Sequence, residues 1–87
     1  MYLYLGQNTV VKKTSVVAIF DMDNTTQSKT TMDFLRRAEK QKRLISVSDE
    51  LPKSFVVCNE AEGTTVYLSQ LSASTLLKRS ENSIDLG

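Results

Sequence analysis

Asp21-Met22-Asp23-Asn24-Thr25 is the stretch of this sequence whose spacing best suits covalent catalysis. It follows directly on the apolar run Val16-Val17-Ala18-Ile19-Phe20, so its carboxylates emerge at the end of an expected strand. There, a first carboxylate could attack phosphorus. A second, two residues on, could serve as general acid and base, with Mg²⁺ screening the charge. The other chemistry-bearing groups are the single cysteine, Cys58, and several clustered cations.

A strand followed by D-x-D-x-T resembles the first motif of the haloacid-dehalogenase-like phosphatases. That resemblance implies a doubly wound parallel sheet in a chain much longer than this one. It also implies a phosphate-holding Ser/Thr, a Lys and a further acidic pair, each at the end of another parallel strand. The acidic pair here, Asp49-Glu50, falls in a loop before a strand, and the later strands are joined by a short hairpin. Two carboxylates without that support do not hold catalytic Mg²⁺ and phosphate, so Asp21 and Asn24 read as turn residues feeding a helix. With no His and no second Cys, Cys58 reads as a small buried residue and cannot form an intramolecular disulfide. The three glycines are isolated, so no Gly-rich phosphate loop exists. No catalytic residue, metal ligand, cofactor or small-molecule substrate is assigned.

The chain has 87 residues and a formal net charge of +1, which excludes a supercharged nucleic-acid binder. The charge is segmented: residues 36–43 carry +4 and residues 49–62 carry −3. Lys12-Lys13 lie between two early strands, and Arg36, Arg37, Lys40, Lys42 and Arg43 surround the end of the first helix. Lys53 opens a later strand, and Lys78-Arg79 end the second helix. A solvated helix face with cations favoured by the dipole accounts for much of this pattern. No signal peptide is apparent, and the longest apolar run falls far short of a membrane span. A reducing cytoplasmic setting is the expectation, with no membrane partner.

Periodicity gives the order β-β-β-α-(β)-β-β-α. Strands are expected at residues 2–5, 9–11 and 15–20; the last lacks alternation, as if both its faces were covered. A helix follows from Thr30 to Arg43, with Thr31, Phe34, Leu35 and Ala38 on its apolar stripe and Arg36, Lys40 and Arg43 on a solvated face. Leu44 to Val47 reads as a short strand, and strands at 53–59 and 64–69 form a hairpin. A short C-terminal helix runs from Ser72 to about Arg79. The expected fold class is α+β: a small, mostly antiparallel sheet with one main helix and a short C-terminal helix, both on one face. Residues 1–80 make one domain, with 81–87 a frayed tail.

Several stretches together carry a wider resemblance. These are Tyr2-Leu3-Tyr4-Leu5-Gly6, Val16 to Asp21, Phe34-Leu35-Arg36-Arg37-Ala38, Leu51-Pro52-Lys53-Ser54-Phe55-Val56-Val57, Tyr67-Leu68-Ser69 and Ser72 to Arg79. They resemble the extracellular-matrix regulatory (Rem) family of Gram-positive bacteria, its RemB branch most closely. The resemblance implies a DNA-binding transcriptional regulator. In the related RemA branch, subunits similar to this one form rings whose basic residues contact DNA. One departure stands out: the RemA branch looks like it uses an Arg pair in the loop where this chain has Leu51-Pro52. An early Arg is also replaced, near Ser15. The expectation is a homo-oligomer whose DNA contacts, salt-sensitive and to phosphate, come from Lys12, Lys13 and Lys53, then Arg36 and Arg37. One subunit's few cations bind weakly; an array multiplies them. The alternatives are an oligomeric protein-interaction scaffold without DNA affinity and a phosphohydrolase-like enzyme using Asp21 and Asp23.

Overall fold

The computed structural model describes residues 1–22 and 29–86, with side chains described as far as Ser80. The first strand, β1 (Tyr2–Gly6), alternates: Leu3 and Leu5 point inward, Tyr2 and Tyr4 outward. It pairs antiparallel with β2 (Thr9–Lys12), which buries Val11. Their loop is Gln7-Asn8, both at positive φ (47° and 63°), the requirement of a tight type I′ hairpin. Gly6, at φ 110°, precedes it; a Cβ there would sit 2.8 Å from the Gln70 amide nitrogen. The positive φ, more than the nearby end of the Gln70 side chain, requires a glycine here.

A single 3₁₀ turn at Lys13–Ser15 leads into β3 (Val16–Asp21). Helix α1 (Lys29–Lys40), β4 (Leu44–Ser46), β5 (Ser54–Glu60), β6 (Gly63–Ser69) and helix α2 (Ala73–Leu86) follow. β1 and β2 form their own ribbon, and the remaining strands form a four-stranded sheet in the order β3-β5-β6-β4. All pairings are antiparallel except β4 with β6. The α+β class and the element order agree with expectation.

Three expectations are corrected. First, the helices lie on opposite faces. Leu3, Leu5, Val11, Val47, Val56, Cys58 and Leu76 fill the space between one face of the sheet and the layer made by the hairpin and α2. Ala38 packs with Phe55 and Val66, and with Leu35 and Leu44, on the other face, under α1. The alternating residues of β5 supply both cores, which is why its run Phe-Val-Val-Cys is uniformly apolar. Second, β3 is an edge strand. Its register shifts between Val16 and Ala18, and Val17 is 66% exposed. A bulge turns that side chain outward although its sequence reads like a fully covered strand. Third, α2 runs to Leu86 rather than ending near Arg79, because no breaker intervenes before Gly87.

Two buried serines, Ser54 and Ser69, sit opposite each other across β5 and β6. Ser54 Oγ donates to the Leu71 carbonyl (2.8 Å). Ser69 Oγ donates to the Leu5 carbonyl (2.7 Å) and accepts from the Leu71 amide (3.1 Å). The chain beyond β6 is thereby bound to both layers. It enters α2 through Ser72, whose hydroxyl accepts the Thr75 amide (3.2 Å) as an N-cap. Leu76, fully buried, seats the helix, and Arg79 lies 5.3 Å over the Tyr4 ring.

Ser69→Ala leaves the buried Leu5 carbonyl without this donor, and urea unfolding is expected to show a loss of about 1–3 kcal/mol. Ser46→Ala, whose hydroxyl is exposed, is expected to change stability by less than about 0.5 kcal/mol.

Candidate nucleic-acid interface

Helix α1 stops where its carbonyls are captured by the following backbone. The Lys42 amide donates to Glu39 O (3.0 Å) and the Arg43 amide to Ala38 O (2.8 Å). These two bonds, with Lys42 at φ 60°, define a Schellman C-cap. The left-handed position is usually glycine because a Cβ there costs roughly 1–2 kcal/mol. Here it carries a lysine.

The same cap delivers Arg43 to the β5–β6 turn. Its guanidinium donates to the carbonyls of Glu62 (2.8 Å) and Thr64 (3.4 Å), and its own carbonyl accepts the Val66 amide (2.8 Å). Gly63, at φ 127°, makes room: a Cβ there would lie 2.7 Å from Nη1 of Arg43. Arg43 is therefore off the helix and serves as a clasp. It does not share the solvated face expected for it with Arg36 and Lys40.

This end of the sheet carries an open cleft of about 830 Å³, with Lys12, Lys42 and Arg43 on its walls together with Glu60 and Glu62. A neighbouring hollow is lined by Arg37, Gln41, Arg43 and Thr64. Lys12, Arg37, Lys42 and Arg43 come from three separate segments and gather around one turn. Arg36 is exposed on α1 but lines neither hollow. Lys13 is half-buried, and its ammonium donates to the Ser80 carbonyl, tying the 3₁₀ turn to α2. Lys53 is exposed, but it stands at the opposite end of β5 from Asn59, roughly 20 Å away by strand rise. Its backbone braces that end, donating to Ser69 O (2.8 Å) and accepting from the Met22 amide (3.0 Å). In the sequence Lys42 is one of several cations near the helix end, and nothing there assigns it to the site. A lysine in place of the usual capping glycine leaves no signal of the turn that positions it.

Asp21 ends β3, while Asp23, Asn24 and Thr25 lie outside the described residues. Among the described residues no group of three or more His, Cys, Asp or Glu could hold a metal ion. Cys58 is fully buried in the core beneath the hairpin. Burial, with the nearby charge of Glu60, pushes its thiol up to about 11 from 9.0. At neutral pH it is a protonated packing group. Burial and the carboxylate of Glu60 also raise the Tyr67 hydroxyl.

Residues 2–79 match the family model described as RemA-like, extracellular matrix regulatory protein A-like. The chain is also 38% identical over 81 residues to Extracellular matrix regulatory protein B of Bacillus subtilis (strain 168), an alignment that covers 93% of this chain and 91% of that relative.

Lys42→Gly relieves the left-handed lysine, and denaturant unfolding is expected to show a gain of about 1 kcal/mol. Cys58 generates a pH dependence. Its folded state keeps the proton between pH 9.0 and about 11 while the unfolded chain loses it, so stability falls as pH rises through that window. Urea melts across the window are expected to show this decline, with a smaller slope in Cys58→Ala.

Proposed function

The chain belongs to the RemA-like family of extracellular matrix regulatory proteins, and on that premise we propose that it is a DNA-binding transcriptional regulator acting as a homo-oligomer in the cytoplasm. The relative's name states a role in regulating an extracellular matrix, and this chain is assigned to the same kind of regulation. The DNA contacts are to phosphates, made without catalysis.

One observation carries the reading. Lys42 occupies a backbone conformation in which glycine would be more stable, and it stands in the cleft with Lys12. Strain retained at a cation points to a use for that cation. Arg37 and Arg36 extend the positive surface along α1, and Arg43 holds the turn around which it is built. Among the described residues no helix is set out to read base edges, so positioning on the backbone and DNA shape supply the recognition. Lys53 would contribute from the other end of the sheet, on a second surface of the array.

Glu60 and Glu62 on the cleft wall set the scale of affinity, since they offset part of the positive charge. Three phosphate contacts on one subunit imply a loss of about 40-fold between about 50 and 200 mM salt. Two subunits acting together imply about 2,000-fold. An array multiplies the contacts of one subunit, and avidity then raises the affinity that few cations alone give. The same carboxylates also favour the second reading, an oligomeric scaffold that binds protein and not DNA.

Fluorescence anisotropy of a DNA duplex, titrated at those two salt concentrations, tests the proposal. Binding at low salt is expected with a steep salt dependence. Lys12→Glu combined with Lys42→Glu is expected to weaken it at least tenfold and to lower the salt slope by about 2. Assembly without low-salt DNA binding, or binding that ignores the double variant, would overturn DNA recognition and leave the scaffold.

A further inference from the structure

We propose that the outer face of the layer made by the hairpin and α2 is a stacking platform for the unpaired bases of single-stranded nucleic acid. The proposal goes beyond duplex binding at the turn and does not rest on it. Alternation along β1 turns Tyr2 and Tyr4 to the same outer side, 61% and 42% exposed. Strand rise places them about 6.7 Å apart along the chain. Across the ribbon, Lys12 stands opposite Tyr2 and Val10 opposite Tyr4. Arg79 comes from α2, is itself exposed, and lies over the Tyr4 ring. A cation therefore accompanies each ring. Neither ring packs into the two hydrophobic clusters, whereas the third tyrosine, Tyr67, packs against the core and bonds Glu60.

The charge of this layer has one sign as far as Ser80. Residues 1–20 and 63–80 contain Lys12, Lys13, Lys78 and Arg79 and no Asp or Glu. Lys12, Lys78 and Arg79 are exposed, while Lys13 is bonded to the Ser80 carbonyl and is not counted as a contact. Glu60 and Glu62 share the cleft with Lys12 and Tyr2, but Tyr4 and Arg79 lie outside that cleft. Glu81 and Asp85 follow Arg79 in the sequence, two acids against four cations.

A polyanion is the complementary partner, and the rings choose among polyanions. In a duplex the bases are stacked on one another and closed to a flat ring. A single strand offers bases to the rings and phosphates to the cations together, and the Arg79 guanidinium adds a second plane on which a base can lie. Stacking of this kind tolerates any sequence. An anionic membrane calls for a wider apolar face. From Ala73 to Ser80, Leu77 is the one exposed large apolar side chain.

Tyrosine emission reads the site, because the chain has three tyrosines and no tryptophan. Oligothymidylate at about 50 mM salt is expected to quench it, and polyphosphate, which has the charge but no bases, is not. By fluorescence anisotropy of labelled oligothymidylate, Tyr2→Leu combined with Tyr4→Leu is expected to weaken binding at least about twentyfold. Tyr2→Phe combined with Tyr4→Phe, which keeps both rings, is expected to bind like the wild type. Binding that survives the leucine pair, or polyphosphate that displaces the oligonucleotide equally well at equal phosphate concentration, overturns the platform. A protein that binds duplex but not oligothymidylate sinks this proposal alone; one that binds oligothymidylate but not duplex sinks the duplex reading alone. Sedimentation with phosphatidylglycerol vesicles without oligothymidylate binding assigns the face to a lipid surface. A smaller mass of the leucine pair by light scattering assigns it to a contact between copies. Either result overturns the proposal. If the leucine pair does not fold, quenching of the wild type by oligothymidylate but not by polyphosphate decides.

Discussion

The two facing serines at the end of β5 and β6 hold this molecule's layers in register. Both serines are fully buried, and each donates its hydroxyl to a main-chain carbonyl. Ser69 reaches across to β1, and Ser54 holds the chain at Leu71 just before α2. With those bonds in place the hairpin ribbon sits squarely over Val56 and Cys58, and Leu76 closes the space. The rest of the architecture follows from having a cover on each face. The hairpin and α2 occupy one side, α1 takes the other, and the cations at the end of α1 are left beside the β5–β6 turn.

That turn is where the fold builds the candidate site. Arg43 spends its guanidinium on two carbonyls, Gly63 yields the space, and Lys42 stands beside them in a conformation unusual for a residue with a side chain. Positive charge from α1 and β2 is thereby concentrated at one end of a nearly neutral protein. Two acidic side chains on the same cleft, Glu60 and Glu62, offset part of that charge.

Much of the fold was legible in the residues because alternation and turn chemistry are local. Tyr2-Leu3-Tyr4-Leu5 announces a half-buried strand, Gly6-Gln7-Asn8 its turn, and Phe34, Leu35 and Ala38 the buried stripe of α1. What local pattern cannot distinguish is a covered strand from an apolar edge: Val16 to Phe20 and Phe55 to Cys58 read alike, yet only β5 lies between neighbours. Nor does periodicity say which face a helix takes, since that depends on crossings between distant segments. The candidate site was legible as a composition of cations but not as a place. Lys12 and Arg37 come to the same end of the sheet, Lys53 goes to the other, and Lys13 turns to α2. Lys42 was hidden because its special conformation leaves no mark in the residue type.

The bond from Ser69 to the Leu5 carbonyl joins residues 64 apart, and Lys13 meets Ser80 across 67. Contacts of that separation are the slowest to form. On a ribosome adding about 5–20 residues per second, the hairpin emerges several seconds before the segment that must cover it. During that interval Leu3, Leu5 and Val11 have no lid, so biogenesis runs the risk of misassociation at its beginning and resolves it only when the final helix arrives.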